Sequence, residues 1–147
     1  MSNVIYEARC GSYEISTDPA RLDLGQVVAL MRTSYWAAER TRESTEVSVR
    51  NSRCFGLYDV SNGRQIGLTR VVTDYATFAW ICDVIVEEAY RGSRLGVWMM
   101  ETVLADPQLS GVRRWTLATR DAHELYARFG FNPLAHPGNW MEIRPGP

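Results

Sequence analysis

Arg91-Gly92-Ser93-Arg94-Leu95-Gly96 joins an apolar, β-rich run, Ile81 to Val86, to a helical run that begins near Leu95. The junction has the makings of an anion site. Gly92 and Gly96 let backbone approach a ligand closely, and the amides of a helix N-terminus converge on negative charge with the helix dipole behind them. Arg91 and Arg94 add full positive charge beside those partial charges. By itself the hexamer is equally an ordinary strand-to-helix turn, so its surroundings have to decide.

Downstream, Leu95, Met99 and Val103 repeat at a four-residue interval, which predicts a helix ending before Asp106-Pro107. Trp115 to Ala118 reads as a strand. Asp121 is placed to cap a further helix carrying Leu125, Tyr126 and Phe129, with Gly130 ending it. Phe131 to Leu134 and Trp140 to Arg144 read as last short strands. Upstream, Thr77 to Val86 is a strand whose near-continuous apolar character predicts a central position covered on both faces. Cys54 to Val60 and Gln65 to Thr73 are strands around Ser61-Asn62-Gly63, whose Asn-Gly pair signals a hairpin.

Nearer the start, Tyr13 to Ser16 is a first strand. Asp23 caps a helix with Leu24, Val27, Val28 and Met31 at helical spacing and Gln26 and Arg32 outward. Thr33 to Thr41 is an aromatic-rich connection into a second helix, Arg42 to Ser52. The predicted order is β-α-α-β-β-β-α-β-α-β-β, an α/β arrangement with a mixed sheet. No repeat or linker divides the chain, so residues 1–147 read as one domain.

Composition narrows the function. Apolar residues make up 46% and charged residues 22% of 147 residues, the balance of a folded protein able to bury a core. A net charge of -1 supplies no pervasive positive field, which argues against general binding of nucleic acid or of an acidic membrane. Every basic residue except the two histidines is an arginine. The absence of lysine excludes a lysine Schiff base and a lysine-centred phosphate loop. Cys10, Cys54 and Cys82 form no CxxC pair and read as free thiols, with no zinc set around them. Met1-Ser2-Asn3-Val4 has no signal-peptide pattern and no apolar run reaches a membrane span, so a cytoplasmic, reducing location is expected.

The blocks Asp83-Val84-Ile85-Val86, Tyr90-Arg91-Gly92-Ser93-Arg94-Leu95-Gly96 and Leu125-Tyr126-Ala127-Arg128-Phe129-Gly130-Phe131 together resemble the GNAT acetyltransferase superfamily. Its signature is an apolar strand, then R/Q-x-x-G-x-G/A, then a helix. The resemblance runs from the Asn62-Gly63 hairpin through Phe131. It implies a mixed, mostly antiparallel central sheet with splayed central strands and flanking helices. It also implies acetyl-CoA as cosubstrate, without a metal, its pyrophosphate held by Arg91, Gly92, Ser93, Arg94, Leu95 and Gly96. One position departs: Arg94 stands where the pattern has its first glycine, harmless if the backbone there is helical and strained if φ is positive.

The resemblance further places Val84 and Val86 along the pantetheine arm through backbone contacts, with the Val84 amide polarising the thioester carbonyl. Tyr126 matches the family's general acid, a phenol protonated at neutral pH. Asp83 has two open roles, acceptor of the amine's proton or partner of an arginine in the opposite layer. Strand alternation turns it away from Cys82 and Val84. Arg91 either contacts phosphate, the favoured reading, or caps local carbonyls. His123 reads as a helix-surface residue.

For the acceptor, Tyr35, Trp36, Tyr75, Phe78, Trp80 and Trp140 supply aromatic surface suited to an apolar group or a cation. Arg70 is open to an acceptor carboxylate, with a surface charge on the hairpin as its default role. The sequence therefore predicts an N-acetyltransferase acting on a primary amine of a small molecule or peptide, with a homodimer by analogy. A non-catalytic acyl-CoA-binding or sensor domain of the same fold is the alternative.

Overall fold

The computed structural model describes residues 4–146, so most of the N-terminus Met1 to Val4, expected to carry no signal peptide, lies outside the described residues. Six strands form one sheet in sequence order: β1 (Glu7–Cys10), β2 (Tyr13–Ser16), β3 (Arg53–Asp59), β4 (Arg64–Thr73), β5 (Ala79–Val86) and β6 (Trp115–Leu117). Every neighbouring pair is antiparallel except β5 and β6, which run parallel. Helices α1 (Leu24–Arg32) and α2 (Arg42–Arg50) connect β2 to β3, α3 (Leu95–Ala105) connects β5 to β6, and α4 (His123–Ala127) follows β6. This is the mixed, mostly antiparallel α/β sheet with flanking helices that the sequence predicts.

The core lies on both faces of the sheet. On one, Met99, Met100 and Val103 of α3 pack with Phe55, Leu57, Ile66, Val71 and Ile81. On the other, Val27, Leu30 and Met31 of α1 pack with Cys54, Leu68 and Ile85. Every residue of β3 is buried, whereas β5 alternates between buried and half-buried positions. The doubly covered strand is thus β3 rather than β5. β5 lies next to the edge strand and loses its β6 partner partway along.

Local chemistry sets the helix ends. The Asp23 carboxylate accepts from the Gln26 amide and starts α1 as expected. Gln26 itself does not face outward: its side-chain amide donates to the Gln65 carbonyl at 3.0 Å and to Glu87 at 3.1 Å. Asp121 does not cap α4. The N-cap is Ala122, whose amide donates to Thr119 Oγ1 at 3.1 Å, and Asp121 lies one residue too early to reach the next free amides.

The ends of the chain correct two further expectations. A strand the sequence pattern did not disclose, β1, pairs with β2 across a turn where Gly11 has φ 60°. Phe131 to Leu134 and Trp140 to Arg144 form no strands; Pro133 removes a backbone donor from the first, and a helical turn at Pro137–Asn139 precedes the second. Among the described residues β6 is consequently the sheet edge, and the splayed pair β5–β6 lies at one end of the sheet instead of its centre.

A buried ion pair fixes α3 to the sheet. Arg53 Nε of β3 donates to Asp106 Oδ2 at 2.6 Å, with side-chain exposures of 5% and 0%. The other Asp106 oxygen accepts from the Gln108 amide just beyond α3. Asp106→Ala leaves a buried guanidinium without its counter-charge, at a cost of about 3–5 kcal/mol. The expected fall in Tm is on the order of 10 °C, read by thermal denaturation; an unshifted Tm would show that the pair holds nothing.

Candidate active site

The turn from β5 into α3 has two left-handed residues, Gly92 at φ 91° and Arg94 at φ 61°. Glycine accepts that backbone freely, but an arginine there is strained by roughly 1–3 kcal/mol. Arg94 is the N-cap of α3, and no side chain caps the helix. The first intrahelical bond runs from the Trp98 amide to the Arg94 carbonyl at 3.1 Å, leaving the amides of the first turn facing outward. A Cβ placed on Gly92 or Gly96 would meet nothing within 4 Å. Uncapped amides at a helix start, with no side chain on either glycine beside them, suit a phosphate group.

The turn is pinned to the β3–β4 hairpin. Arg64 holds Glu87 at 2.6 Å, the Glu87 amide donates to the Ile66 carbonyl at 2.7 Å, and Tyr90 Oη donates to Asp59 Oδ2 at 2.8 Å. Arg91 Nε donates to the Val86 carbonyl at 2.9 Å. Of the two roles open to Arg91, capping a local carbonyl is therefore the one observed, and only its remaining donors stay available to an anion. Ser93 and Arg94 are exposed, while Leu95 is buried in the core.

Upstream of the turn, β5 parts from β6. Ala79 to Ile81 pair with Trp115 to Leu117, and among the described residues the strand from Cys82 onward has no strand neighbour on that side. On the other side, Arg70 faces Cys82 and Leu68 faces Ile85, so Thr69 stands opposite two β5 residues, Asp83 and Val84. This is a β-bulge, and Asp83 within it has φ 53°. The extra residue exchanges the faces of the strand. Before it Ile81 packs with α3; after it Ile85 packs with α1, while Val84 and Val86 pack against the α3 side.

The bulge also redirects Asp83. Simple alternation separates it from Cys82, yet both lie within electrostatic reach of Arg40 and Arg70. Asp83 Oδ1 accepts from Trp36 Nε1 at 2.8 Å and Arg40 Nη2 at 3.1 Å. Asp83 Oδ2 accepts from Arg40 Nη1 at 2.8 Å and Arg70 Nε at 2.7 Å. Burial pushes the carboxyl pKa up, but hydrogen bonds and charge from the two arginines outweigh it and hold the pKa below the usual range. Four donors fill the four lone-pair positions of a carboxylate. The arginine-partner role matches these surroundings; a base needs a free lone pair.

Arg70 is consequently not a free hairpin charge. Besides Asp83, it donates to Ser52 Oγ at 3.0 Å and its side chain is 14% exposed. Arg40 escaped the sequence reading altogether. It lies in an irregular connection with no period or motif to single it out.

Tyr126 of α4 is buried, edge-on to Phe131. Burial, with Tyr35 nearby, raises its pKa above the ordinary phenol value. Tyr35 is half-exposed, and its hydroxyl accepts from the Arg120 amide at 3.1 Å while the Arg120 guanidinium lies 3.7 Å over its ring. Trp36 stands edge-on to Tyr35 at 5.0 Å. The α1–α2 connection thus reaches both Asp83 of β5 and the connection after β6. Trp80 lies half-buried on β5 before the bulge, and His123 is exposed as expected. Burial pushes the Cys54 and Cys82 thiols up to about 12 and 11, so neither is a ready thiolate. A cavity of about 430 Å³ between the N-terminal segment and the end of α2 contains none of Asp83, Val84 and Tyr126.

Comparison with known proteins follows the same outline. The model of the Acetyltransferase (GNAT) family matches residues 14–131. A GNAT-family protein of Xanthomonas campestris pv. campestris is 40% identical, with a TM-score of 0.85 over 90% of this chain and 92% of that one. A Staphylococcus aureus protein of unknown function is 27% identical, with a TM-score of 0.73 over 90% and 98% of the two chains. A Gibberella zeae protein named as a candidate acetyltransferase is 29% identical over 80% of this chain and 77% of its own.

The strain at Arg94 is open to measurement. Arg94→Gly relieves the left-handed backbone, and after the added freedom of the unfolded chain is discounted the expected gain is up to about 1 kcal/mol. Arg94→Ala keeps the Cβ and should give no gain in chemical denaturation. Equal stability of the two variants would mean that the turn is unstrained.

Proposed function

The chain belongs to the Acetyltransferase (GNAT) family, and on that footing we propose that it is an acetyl-CoA-dependent N-acetyltransferase acting on a primary amine of a small molecule or peptide. The observation that carries this reading is the uncapped N-terminus of α3, placed at the end of the unpaired edge of β5. Acetyl-CoA supplies the activated acyl group as a thioester. The α3 amides, with those of Gly92, Ser93 and Arg94, hold its pyrophosphate, and charge on Arg94 and Arg91 adds to the helix dipole.

The free edge at Val84 and Val86 takes the pantetheine arm as an added strand would be taken. At the bulge the Val84 N–H donates to the thioester oxygen as negative charge develops there, the interaction that acyl transfer most depends on. Tyr126 gives its proton to the departing thiolate. A buried phenol with a raised pKa remains protonated throughout the neutral range. The acceptor approaches past Tyr35 and Trp36, whose rings suit an apolar group or an ammonium, with Trp80 along β5. The amine loses its proton to solvent. We place the enzyme in the cytoplasm, where three free thiols persist, and among the described residues no helix is long and apolar enough to cross a membrane.

Two measurements test this. Acetyl-CoA at a hundred times its Kd should stabilise the native state by about 2.7 kcal/mol, a Tm rise of roughly 5–10 °C; no rise at saturation would remove the cofactor assignment. Thiol release from acetyl-CoA should then be followed across amines, amino acids and peptides. Tyr126→Phe is expected to lower kcat by at least about 10²-fold with the Kd for CoA unchanged, and the wild-type kcat/KM should rise through neutral pH as the acceptor ammonium loses its proton and decline only above the ordinary phenol value of about 10. Full turnover by Tyr126→Phe, with chemistry rate-limiting, would assign the acid elsewhere. Stabilisation without thiol release on any acceptor would favour an acyl-CoA-binding domain.

A further inference from the structure

We propose that Asp83 is a positioning residue: gripped by Trp36, Arg40 and Arg70, its carboxylate holds the β5 bulge left-handed and so aims the Val84 N–H at the thioester. The aim at a thioester rests on the acetyl-CoA reading above; the hold on the backbone does not. Asp83 and Val84 have no Cα partner in β4 or β6, so neither strand ladder fixes their conformation. A φ of 53° at a residue with a side chain does not persist unless its surroundings over-determine it.

The surroundings here are three side chains from two other elements. Trp36 and Arg40 come from the α1–α2 connection, 47 and 43 residues away in sequence, and Arg70 comes from β4, 13 residues away. Arg70 is steadied in turn by Ser52. Each guanidinium approaches the carboxylate from its own layer, so the side chain is fixed in direction as well as distance. With the side chain fixed and both flanking residues tied into the β4 register at Cys82 and Ile85, the backbone between them has little freedom. A change of φ at residue 83 would rotate the rigid peptide plane that carries the Val84 amide and so re-aim that N–H. Aspartate suits the position because it tolerates the left-handed region better than most residues.

A series at position 83 separates this role from that of a base. A base role ranks aspartate far above asparagine, glycine and alanine alike. A conformational role ranks asparagine and glycine above alanine, since asparagine keeps a bonding side chain and glycine takes the left-handed backbone without help. Backbone ¹³C shifts of residues 83 and 84 in the ligand-free protein read the conformation directly. The carbonyl stretch of bound [1-¹³C]acetyl-CoA, by difference infrared spectroscopy, reads the Val84 hydrogen bond without any acceptor.

Wild type, Asp83→Asn and Asp83→Gly should keep left-handed shifts and a lowered carbonyl stretch. Asp83→Ala should lose most of both while its Kd for CoA stays unchanged. Arg40→Gln and Arg70→Gln leave Asp83 in place and loosen the clamp; they should move the same signals partway and serve where Asp83→Ala does not fold. Left-handed shifts retained in Asp83→Ala, or equal loss in Asp83→Gly and Asp83→Ala, would overturn the inference. Failure of the wild type to bind acetyl-CoA would instead overturn the acetyl-CoA reading and the aim at a thioester, while the ligand-free shifts still decide whether the clamp holds the bulge.

Discussion

β5 stays paired to β4 along most of its length while leaving β6 after Ile81, and the extra residue at Asp83 lets one strand do both. A regular strand would carry the same faces to its end and stay closed on both sides. The bulge bends it and exchanges its faces, so that Ile81 serves the α3 layer and Ile85 the α1 layer. Gly67 is the matching concession in β4. A Cβ there would lie 2.8 Å from the Ile85 carbonyl oxygen, too close for any other residue without backbone movement.

Helix α3 carries the positive end of its dipole to the end of this free edge, and it is held at both ends. Its C-terminal end is tied by the buried Arg53–Asp106 pair, one charge against one. Its N-terminal end is set by the turn that Arg64, Glu87, Tyr90 and Asp59 attach to the hairpin. Around Asp83 the ratio differs, since two arginines share one carboxylate. The first arrangement fixes a helix; the second fixes the direction of a single side chain.

Asp83 and Arg94 are both left-handed without being glycine, and they bracket the proposed cofactor path. Strain of this kind concentrates where a site must be pre-set. Tyr75, the third such residue among those described, belongs to the β4–β5 turn, where Asp74 accepts from the Ala76, Thr77 and Phe78 amides. That is ordinary turn chemistry, so an outlier alone does not mark a site. At Asp83 and Arg94 the added observation is an unpaired strand edge in one case and an uncapped helix in the other.

Local features were legible from the residues alone. Asp23 and the helix after it, the Asn62-Gly63 hairpin, the end of α3 before Pro107, and the strand–turn–helix around Arg91 to Gly96 each depend on residues a few positions apart, and each forms where the pattern places it. Tyr126 falls within α4, the helix that the pattern Leu125, Tyr126, Phe129 announces. Tertiary structure alone decided the partners of Asp83, the commitment of Arg91 to the Val86 carbonyl and, among the described residues, the edge position of β6. Strand pairing and ion pairing join segments distant in sequence, and neither leaves a period in it. A bulge erases the one period a strand does have, so the facing of Asp83 became legible only once β4 and the α1–α2 connection were folded against it.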